Sequence, residues 1–528
     1  MRFTVLLFLT IFGHSLLIAD ERPNIVFFLA DDLGIGDVRC YGKELCRIET
    51  PNFDSLATEG IQFTDMHSIA SVCVPSRMAM MTGRYPWRFG APEPGGPWGF
   101  LGARFNPNTF TLGDMLEQSG YHTGYIGKWH LGTRMTTTDG KTQGLTNVDY
   151  TRPLKLGPVQ YGFAESFILP GSLDMYPYAF IRNNMWQGKV TAQKGWSAFN
   201  RLGPAEENFE DYEVLQTLTK ESETFIEKNA GTARSGKPFF LYVALTAPHT
   251  PTSPHPKFQG KSDLGLYGDF VMEVDDCLGR IMKALETHGL SENTLILATS
   301  DHGPASYAGN EKKSRKSQFK AMQALGHYSN AMYRGFKFSI YEGANRVPFI
   351  ARWPKGIRNP GRECDHLLGL QDLFQTLAEV SGFKSSPVQA PDSQSFASIF
   401  NDGSNPSSRN NLVIQSTRSW AIRDDNWKLC LCPGSGCPGN YGNEPADLVA
   451  WKAAIADFGR NPTVEDFGKA PFVQLFDLKT DPGESLNLAM EHPKRVEKML
   501  ELLKEKIHES PNDRNINLYS GVPKFVLQ

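Results

Sequence analysis

Four apolar, β-rich runs in the sequence each end in a cluster of polar residues. The runs are NIVFFLADD (24–32), GYIGKWHLG (124–132), PFFLYVALTAPH (238–249) and NTLILATSDHG (293–303). Continuous apolar strands of this kind are typical of a parallel sheet that is buried on both faces. Segments with helical spacing lie between them, at 111–120 and 268–289, and a third follows the last run, at 367–382. This alternation predicts an α/β domain in which a mostly parallel central sheet is flanked by helices.

The polar residues at the four strand ends are candidates for one shared site. They are Asp31, Asp32, Lys128, His130, His249, Asp301 and His302. Ligands of open α/β sheets bind beyond the carboxyl ends of the strands, where such side chains meet. Taken singly, an Asp-Asp pair is typical of a cap or turn, and a lone histidine is typical of a structural residue. Their occurrence together at four strand ends favours a functional site.

Three carboxylates in this set indicate a cation. Clustered carboxylates repel each other and are costly to bury unless a positive charge neutralises them. Oxygen ligands suit Ca²⁺ or Mg²⁺, whereas the nitrogen of His302 makes the identity of the metal less certain.

The stretch SVCVPSRMAMMTGR (71–84) places Cys73 directly before a short apolar helix. The first turn of a helix has free N–H groups and the positive end of the helix dipole. The position therefore suits an anion, or a nucleophile that attacks one.

The chain begins with MRFTVLLFLTIFGHSLLIAD, an arginine followed by an apolar run and Ala19. This pattern predicts a signal peptide over residues 1–19 and export to a periplasmic, secreted or lysosome-like compartment. A membrane anchor is the alternative, but the run is short for a span and His14 interrupts it. No later stretch is apolar for long enough to cross a bilayer, so we expect no stable membrane insertion. The net charge of -3 argues against a nucleic-acid partner bound through bulk charge.

A region rich in Ser, Pro and Asn at 384–411 predicts a domain boundary near residue 410. We expect the large domain to span 20–410. Strand-like segments at 419–431 and 472–488 and an amphipathic helix at 493–509 predict a smaller α+β domain with an antiparallel sheet over 411–528.

The sequence has eight cysteines, and an exported protein can form disulfides. Cys40 and Cys46 could close a small loop, and two of Cys430, Cys432 and Cys437 could pair. With Cys73 reserved for chemistry, seven cysteines remain, so at least one thiol stays unpaired.

Several motifs of the sequence resemble those of a known family. CVPSRMAMMTGR, from Cys73 to Arg84, matches the sulfatase signature C-x-P-S-R-x-x-x-x-T-G-R at every fixed position. GYIGKWHLG resembles the second signature of that family. Further blocks occur in the family order: NIVFFLADDLGIGD, APH (247–249), SDHG (300–303), RGFKFSIYEGANRVPFIARWP (334–354) and LFDLKTDPGESLNL (475–488). The resemblance runs from about residue 22 to about residue 490 and is to the formylglycine-dependent, arylsulfatase-like enzymes of the alkaline phosphatase superfamily.

The resemblance implies that Cys73 is oxidised to Cα-formylglycine, an aldehyde, by a formylglycine-generating enzyme. Pro75 and Arg77 belong to the tag which that enzyme reads. A thiolate that attacked sulfate would form a stable adduct. A hydrated aldehyde attacks with one oxygen and expels sulfate by collapsing through the other.

The resemblance also implies roles for the other site residues. Asp31, Asp32, Asp301 and His302 resemble the ligands of a metal, Ca²⁺ first and Mg²⁺ second. Arg77 would steady the hydrate, while Lys128 and Lys337 would contact the sulfate. The implied proton carriers are His130 for collapse of the intermediate, His249 for the leaving oxygen and Asp301 for the attacking hydroxyl.

Three features leave alternatives open. Phe336 and Phe338 flank Lys337 where the family often has glycine, and they either narrow the pocket, stack on a sugar ring or pack in the core. The basic stretch 311–330 is either a polyanion-binding loop or a solvated helix face. The aromatic residues of 160–196 either line a carbohydrate cleft or cap the core; they are Tyr161, Phe163, Tyr176, Tyr178, Trp186 and Trp196.

Export and the basic stretch favour a sulfated sugar or polysaccharide as the substrate of a sulfuric ester hydrolase. Two alternatives are a phosphoester or phosphonate hydrolase of the same superfamily and a non-catalytic carbohydrate-binding relative. The complete set of matching site residues disfavours the second of these.

Overall fold

The computed structural model describes residues 22–195, 201–308, 319–386, 388–401, 409–416, 419–432, 434–436 and 473–508. The predicted signal peptide, Trp196, Cys437 and residues 311–318 of the basic stretch lie outside this part of the chain. None of the helices within it combines the length and apolar character that a membrane span requires.

Eighteen strands and ten α-helices are found in the described residues. The strands are β1 Asn24–Asp31, β2 Ile61–Phe63, β3 Met66–His67, β4 His122–Lys128, β5 Glu165–Leu169, β6 Ile181–Arg182, β7 Met185–Trp186, β8 Ala192–Lys194, β9 Gly203–Ala205, β10 Phe239–Pro248, β11 Thr294–Ser300, β12 Phe349–Arg352, β13 Arg362–Cys364, β14 Leu368–Gly369, β15 Asn411–Gln415, β16 Trp420–Asp424, β17 Trp427–Leu431 and β18 Val473–Asp477. The helices are α1 Arg39–Gly42, α2 Pro51–Thr58, α3 Cys73–Thr82, α4 Leu112–Gln118, α5 Val214–Arg234, α6 Gly265–Thr287, α7 Phe319–Ala324, α8 Glu342–Asn345, α9 Leu373–Ser381 and α10 Pro493–His508.

The central sheet has ten strands in the order β13-β2-β12-β11-β1-β10-β4-β5-β6-β7. The four strands predicted from the sequence are the neighbours β11, β1, β10 and β4, and all three pairings between them are parallel. Every residue of β1, β10 and β11 is buried, as their continuous apolar sequences require. The predicted α/β class is confirmed, and the four polar strand ends share one edge of the sheet.

Helices cover both faces of this sheet. Successive residues of a strand point to opposite faces. On β4, a side chain at Gly124 would meet Phe225 of α5, whereas Tyr125 interacts with Arg77 of α3. Helices α3 and α5 therefore lie on opposite sides, with α3 on the face that carries the site.

Two predicted helices show how local signals set the boundaries. Thr111 caps α4 through a reciprocal pair of hydrogen bonds with Asp114, as its position before the apolar run predicts. The predicted helix at 367–382 is wrong at its start, since α9 begins at Leu373. Leu368 and Gly369 pair with β3 instead, and the Asp372 carboxylate accepts the Gly369 N–H at 2.9 Å.

The smaller antiparallel sheet has the order β15-β16-β17-β18, and α10 packs on it through Met499, Leu503 and Ile507. This agrees with the predicted α+β unit. Its buried Lys428 forms ion pairs of 2.9 Å with Glu342 of α8 and with Glu484. Charged groups removed from water need such partners, and here they join the smaller sheet to the segment that follows Lys337.

Cys40 and Cys46 are free thiols, so the disulfide suggested by their spacing is not formed. The Cys46 thiol lies 3.5 Å from the carbonyl oxygen of Ile48 instead.

The aromatic side chains of 160–196 that the structure describes pack in the core. Tyr161, Phe163, Tyr176, Tyr178 and Trp186 are all buried. Tyr161, for example, contacts the rings of Phe105 and Trp129. The core interpretation is confirmed for these five residues.

Candidate active site

The predicted strand-end residues converge at one buried crevice. Asp31 ends β1, Lys128 ends β4, His249 follows β10, and Asp301 follows β11. Asp32 and His130 have left-handed backbones, with φ of 64° and 53°. Such strained conformations are frequent at functional sites, and here they turn the chain sharply at the sheet edge.

Cys73 is the first residue of α3, as the sequence predicts, and it is buried. Its Sγ lies 3.3 Å from Nε2 of His302. Burial alone would raise the pKa of the thiol, but the positive charges of Lys128, Lys337 and His302 outweigh it and hold the pKa well below 9.0. The position strongly favours a negative charge.

Three cations bind the three carboxylates. The Lys128 ammonium donates to Asp31 Oδ2 at 2.6 Å. Lys337 donates to both oxygens of Asp32, at 2.8 and 3.0 Å. Arg77 donates to Asp301 Oδ2 at 3.0 Å and to Asp31 Oδ1 at 3.3 Å. These six groups are all buried, and their charges balance.

The three histidines differ in their surroundings. Nδ1 of His302 donates to the Gly303 carbonyl at 2.9 Å, which directs Nε2 toward Asp32 Oδ1 at 3.3 Å. His249 is held in the same way through the Thr250 carbonyl, and its Nε2 lies 3.8 Å from Asp32 Oδ2. Nδ1 of His130 is buried and has no hydrogen-bond partner among the described residues.

The pKa shifts of two of these histidines are opposite. Burial and the charge of Lys128 lower the pKa of His130 to about 4. Burial and Lys337 would also lower the pKa of His249, but the carboxylates of Asp32 and Asp31 raise it overall. His130 is therefore neutral near pH 7, whereas His249 holds its proton more strongly than an ordinary histidine does.

The donor set fits a divalent cation. Asp32, Cys73 and His302 have ligand atoms within 4.8 Å of one another, and so do Asp31, Cys73 and Asp301. Hard carboxylate oxygens suit Ca²⁺ or Mg²⁺. The Nδ1 hydrogen bond of His302 leaves Nε2 as the ligand atom, which is the usual arrangement in metal sites. Burial raises the pKa of Asp301 to about 6, and the neighbouring Asp31 adds to this effect. A divalent cation would relieve that repulsion and leave the cluster positive enough to hold an anion.

Two serines near the site were missed in the sequence. Ser172 Oγ donates to Asp31 Oδ2 at 3.4 Å, and Ser76 Oγ donates to the Asp301 carbonyl at 2.6 Å. Ser172 follows the apolar run ESFIL of β5, so β5 is a fifth strand with a polar end at this edge. The run is short and ends three residues before Ser172, so the rule used for the other four strands gave only a weak signal here.

The structure assigns a role to one of the two phenylalanines that flank Lys337. Phe336 is buried and packs on Phe319 at 4.9 Å between ring centroids, so its role is core packing. The ring of Phe338 lies 5.8 Å from the Lys337 ammonium. The described end of the basic stretch contains the helix α7, in which Ala321 and Ala324 are exposed, and the buried His327, which lies 2.9 Å from Asp37. Both alternatives for the basic stretch therefore stay open.

Comparisons with known proteins show the family to which the chain belongs. The model of the Sulfatase family matches residues 23–383. An N-acetylgalactosamine-6-O-sulfatase of Bacteroides thetaiotaomicron is 30% identical over 525 aligned residues, which cover 92% of this chain and 93% of the relative. The N-acetylgalactosamine-6-sulfatase of Mus musculus is 32% identical over 391 residues, covering 72% of this chain and 66% of the relative.

A solved structure is also similar to this chain in its fold. It comes from work on the metabolism of multiple glycosaminoglycans by Bacteroides thetaiotaomicron, and it matches with a TM-score of 0.73 at 28% identity. The match covers 92% of this chain and 99% of that chain. The chain therefore belongs to the sulfatase family and is a hydrolase of sulfate esters.

Proposed function

We propose that this sulfatase removes sulfate from a sulfated sugar or polysaccharide, with a formylglycine made from Cys73 and a bound Ca²⁺. The observation that carries the proposal is the position of Cys73, 3.3 Å from His302 Nε2 at the start of α3, in the field of two buried lysines. The relatives that act on N-acetylgalactosamine sulfate support a sugar as the substrate.

The residue at position 73 supplies the nucleophile once it is converted. The Cys73 Sγ stands where an oxygen of the hydrated aldehyde would lie. One hydroxyl of the hydrate bonds to sulfur as the ester oxygen leaves, and loss of the proton from the other hydroxyl restores the aldehyde and releases sulfate. The conversion requires a formylglycine-generating enzyme as a partner during maturation.

Asp31, Asp32, Asp301 and His302 would hold the metal. Ca²⁺ bound there would polarise a sulfate oxygen and offset its charge, and Mg²⁺ is the second candidate. Lys128 and Lys337, already aimed into the crevice, would donate to sulfate oxygens. Arg77 would fix the orientation of Asp31 and Asp301 and steady the hydrate.

The histidines would move the protons. His130 is neutral at pH 7 and has an unpartnered Nδ1, so it suits acceptance of the proton that is lost when the hydrate collapses. His249 has a raised pKa and suits donation to the leaving oxygen. Asp301 would accept the proton of the attacking hydroxyl.

We also propose export through the signal peptide at 1–19 and a division into domains at residue 410. The small sheet beginning at Asn411 supports the division.

Sulfate release by the purified protein tests the proposal. The chain is coexpressed with a formylglycine-generating enzyme and incubated with sulfated saccharides and with the matching phosphorylated saccharides. We expect Ca²⁺-dependent release of sulfate from a sulfated saccharide and no release by Cys73→Ala. Faster release of phosphate than of sulfate, or full activity of Cys73→Ala, would contradict the proposal.

A further inference from the structure

The turn that follows β5 lies against the candidate active site. The His130 N–H donates to the Pro170 carbonyl at 3.2 Å, and the Met175 N–H closes the turn on the Ser172 carbonyl at 3.0 Å. Ser172 itself reaches Asp31, as described above. Asp174 is therefore only two residues from a side chain that contacts a candidate metal ligand.

Only one of the two oxygens of the Asp174 carboxylate has a hydrogen-bond partner among the described residues. Its side chain is only 13% exposed, and Oδ2 accepts a hydrogen bond from Nη1 of Arg201 at 3.1 Å. Oδ1 is buried and has no hydrogen-bond partner among the described residues. Buried polar atoms nearly always have a partner, so this unpaired carboxylate oxygen beside the active site can accept a hydrogen bond from a ligand that enters it.

Tyr307 connects Asp174 to the sulfate end of the site. The Lys337 ammonium lies 6.0 Å from the centre of the Tyr307 ring. Burial raises the pKa of Tyr307, and the carboxylates of both Asp32 and Asp174 raise it further. The same tyrosine is thus close to the candidate metal ligands and to Asp174.

The guanidinium of Arg201 stacks on the Trp98 ring and is hydrogen-bonded to Asp174. Its guanidinium lies 3.3 Å from the centre of the Trp98 ring, and its Nη1 also donates to the Asp174 carbonyl at 2.6 Å. A side chain at Gly171 would lie 3.3 Å from the Gly99 Cα, so the loops that carry Asp174 and Trp98 are packed together. Only Nη1 of the guanidinium is used in these hydrogen bonds, and Arg201 offers further donors.

We propose that Asp174 and Arg201 form a pair that binds the hydroxyl groups of the sugar ring that bears the sulfate. Oδ1 of Asp174 accepts a hydrogen bond from one ring hydroxyl, and a free N–H of Arg201 donates to the oxygen of a neighbouring hydroxyl. An acceptor and a donor side by side match adjacent hydroxyls, which sugars have and which simple aryl alcohols lack. The inference rests on the proposed function and defines how that site selects a sugar.

The test compares Asp174→Asn and Asp174→Ala with the wild type and with Asp139→Asn, a matched change in an exposed loop. Two quantities are measured: kcat/KM for a sulfated monosaccharide, and the inhibition constant of inorganic sulfate, which reports on the sulfate end alone. Loss of a hydrogen bond to a charged group predicts a fall in kcat/KM of about 10- to 100-fold for both Asp174 variants. The inhibition constant of sulfate should stay unchanged, and Asp139→Asn should match the wild type.

An unchanged kcat/KM for the sugar in folded Asp174→Asn would overturn the inference. The inference would also be overturned if the inhibition constant of sulfate rose by the same factor by which kcat/KM for the sugar fell. Asp174 would then support the structure of the whole site and would not bind the sugar. Asp174→Asn keeps the size of the side chain, so it gives a result even if Asp174→Ala does not fold. A wild-type protein that releases no sulfate from any sugar would instead remove the proposed function on which the inference rests.

Discussion

Replacement of Lys128 by methionine removes one buried charge and nearly preserves the shape of the side chain. The Lys128 ammonium is fully buried and lies 2.6 Å from Asp31 Oδ2. Breaking a buried ion pair costs about 3–5 kcal/mol in the free energy of unfolding. Arg77 stays 3.3 Å from Asp31, so we expect a loss near the lower end of that range. A lost contact to the developing sulfate charge lowers kcat by about 10²–10³-fold, or about 2.7–4 kcal/mol.

Both effects are measured on the same preparations, by urea unfolding and by sulfate release, with the converted fraction at residue 73 determined for each. Lys498→Met is the control, because Lys498 forms an exposed ion pair with Asp424 at 3.2 Å. An exposed pair contributes about 0.2–1 kcal/mol, and the control should keep full activity. Activity of Lys128→Met within about threefold of the wild type would show that Lys128 does not stabilise the developing sulfate charge, since the expected loss is at least about 100-fold.

Two further predictions concern stability. A side chain at Gly127, where φ is +119°, would lie 1.8 Å from the Ala244 carbonyl oxygen, so Gly127→Ala should lower the Tm severely. Gly90→Ala is the control, because a side chain there meets nothing within 4 Å and the backbone of Gly90 has no positive φ. The control should keep a Tm close to that of the wild type, and equal Tm values for the two variants would contradict this. Burial would raise the pKa of Glu342, but Lys428 and other cations hold it well below 4.5. The contribution of the ionised Glu342 carboxylate to the free energy of unfolding is therefore complete above pH 4.5 and is lost as the pH falls below that value. In thermal melts across this range, the Tm of Glu342→Gln should fall less with decreasing pH than the Tm of the wild type. Parallel declines in the two proteins would count against the assignment.

The central sheet and its polar edge were predictable because each strand carries its own signal. A strand such as 24–32 is apolar throughout and then ends in Asp31 and Asp32, and parallel strands bring such ends together. Cys73 at the start of a helix was equally visible, because the apolar spacing begins directly after it.

The features that were missed depend on contacts between distant segments. The start of α9 is set by the pairing of Leu368 with β3, which helical periodicity does not reveal. β5 has only five residues, so its polar end at Ser172 carried a weak signal. The pairing of Arg201 with Asp174 joins residues 27 positions apart through a loop, and no local pattern marks it.

Whether residue 73 is the nucleophile in its aldehyde form is decided by the mass of the peptide that carries it, measured together with the fraction of active molecules. Conversion of the Cys73 thiol to the aldehyde should lower the mass by roughly 18 Da, and the converted fraction should equal the fraction of molecules that turn over sulfate ester. A fully active preparation in which residue 73 is still an unmodified thiol would contradict the account.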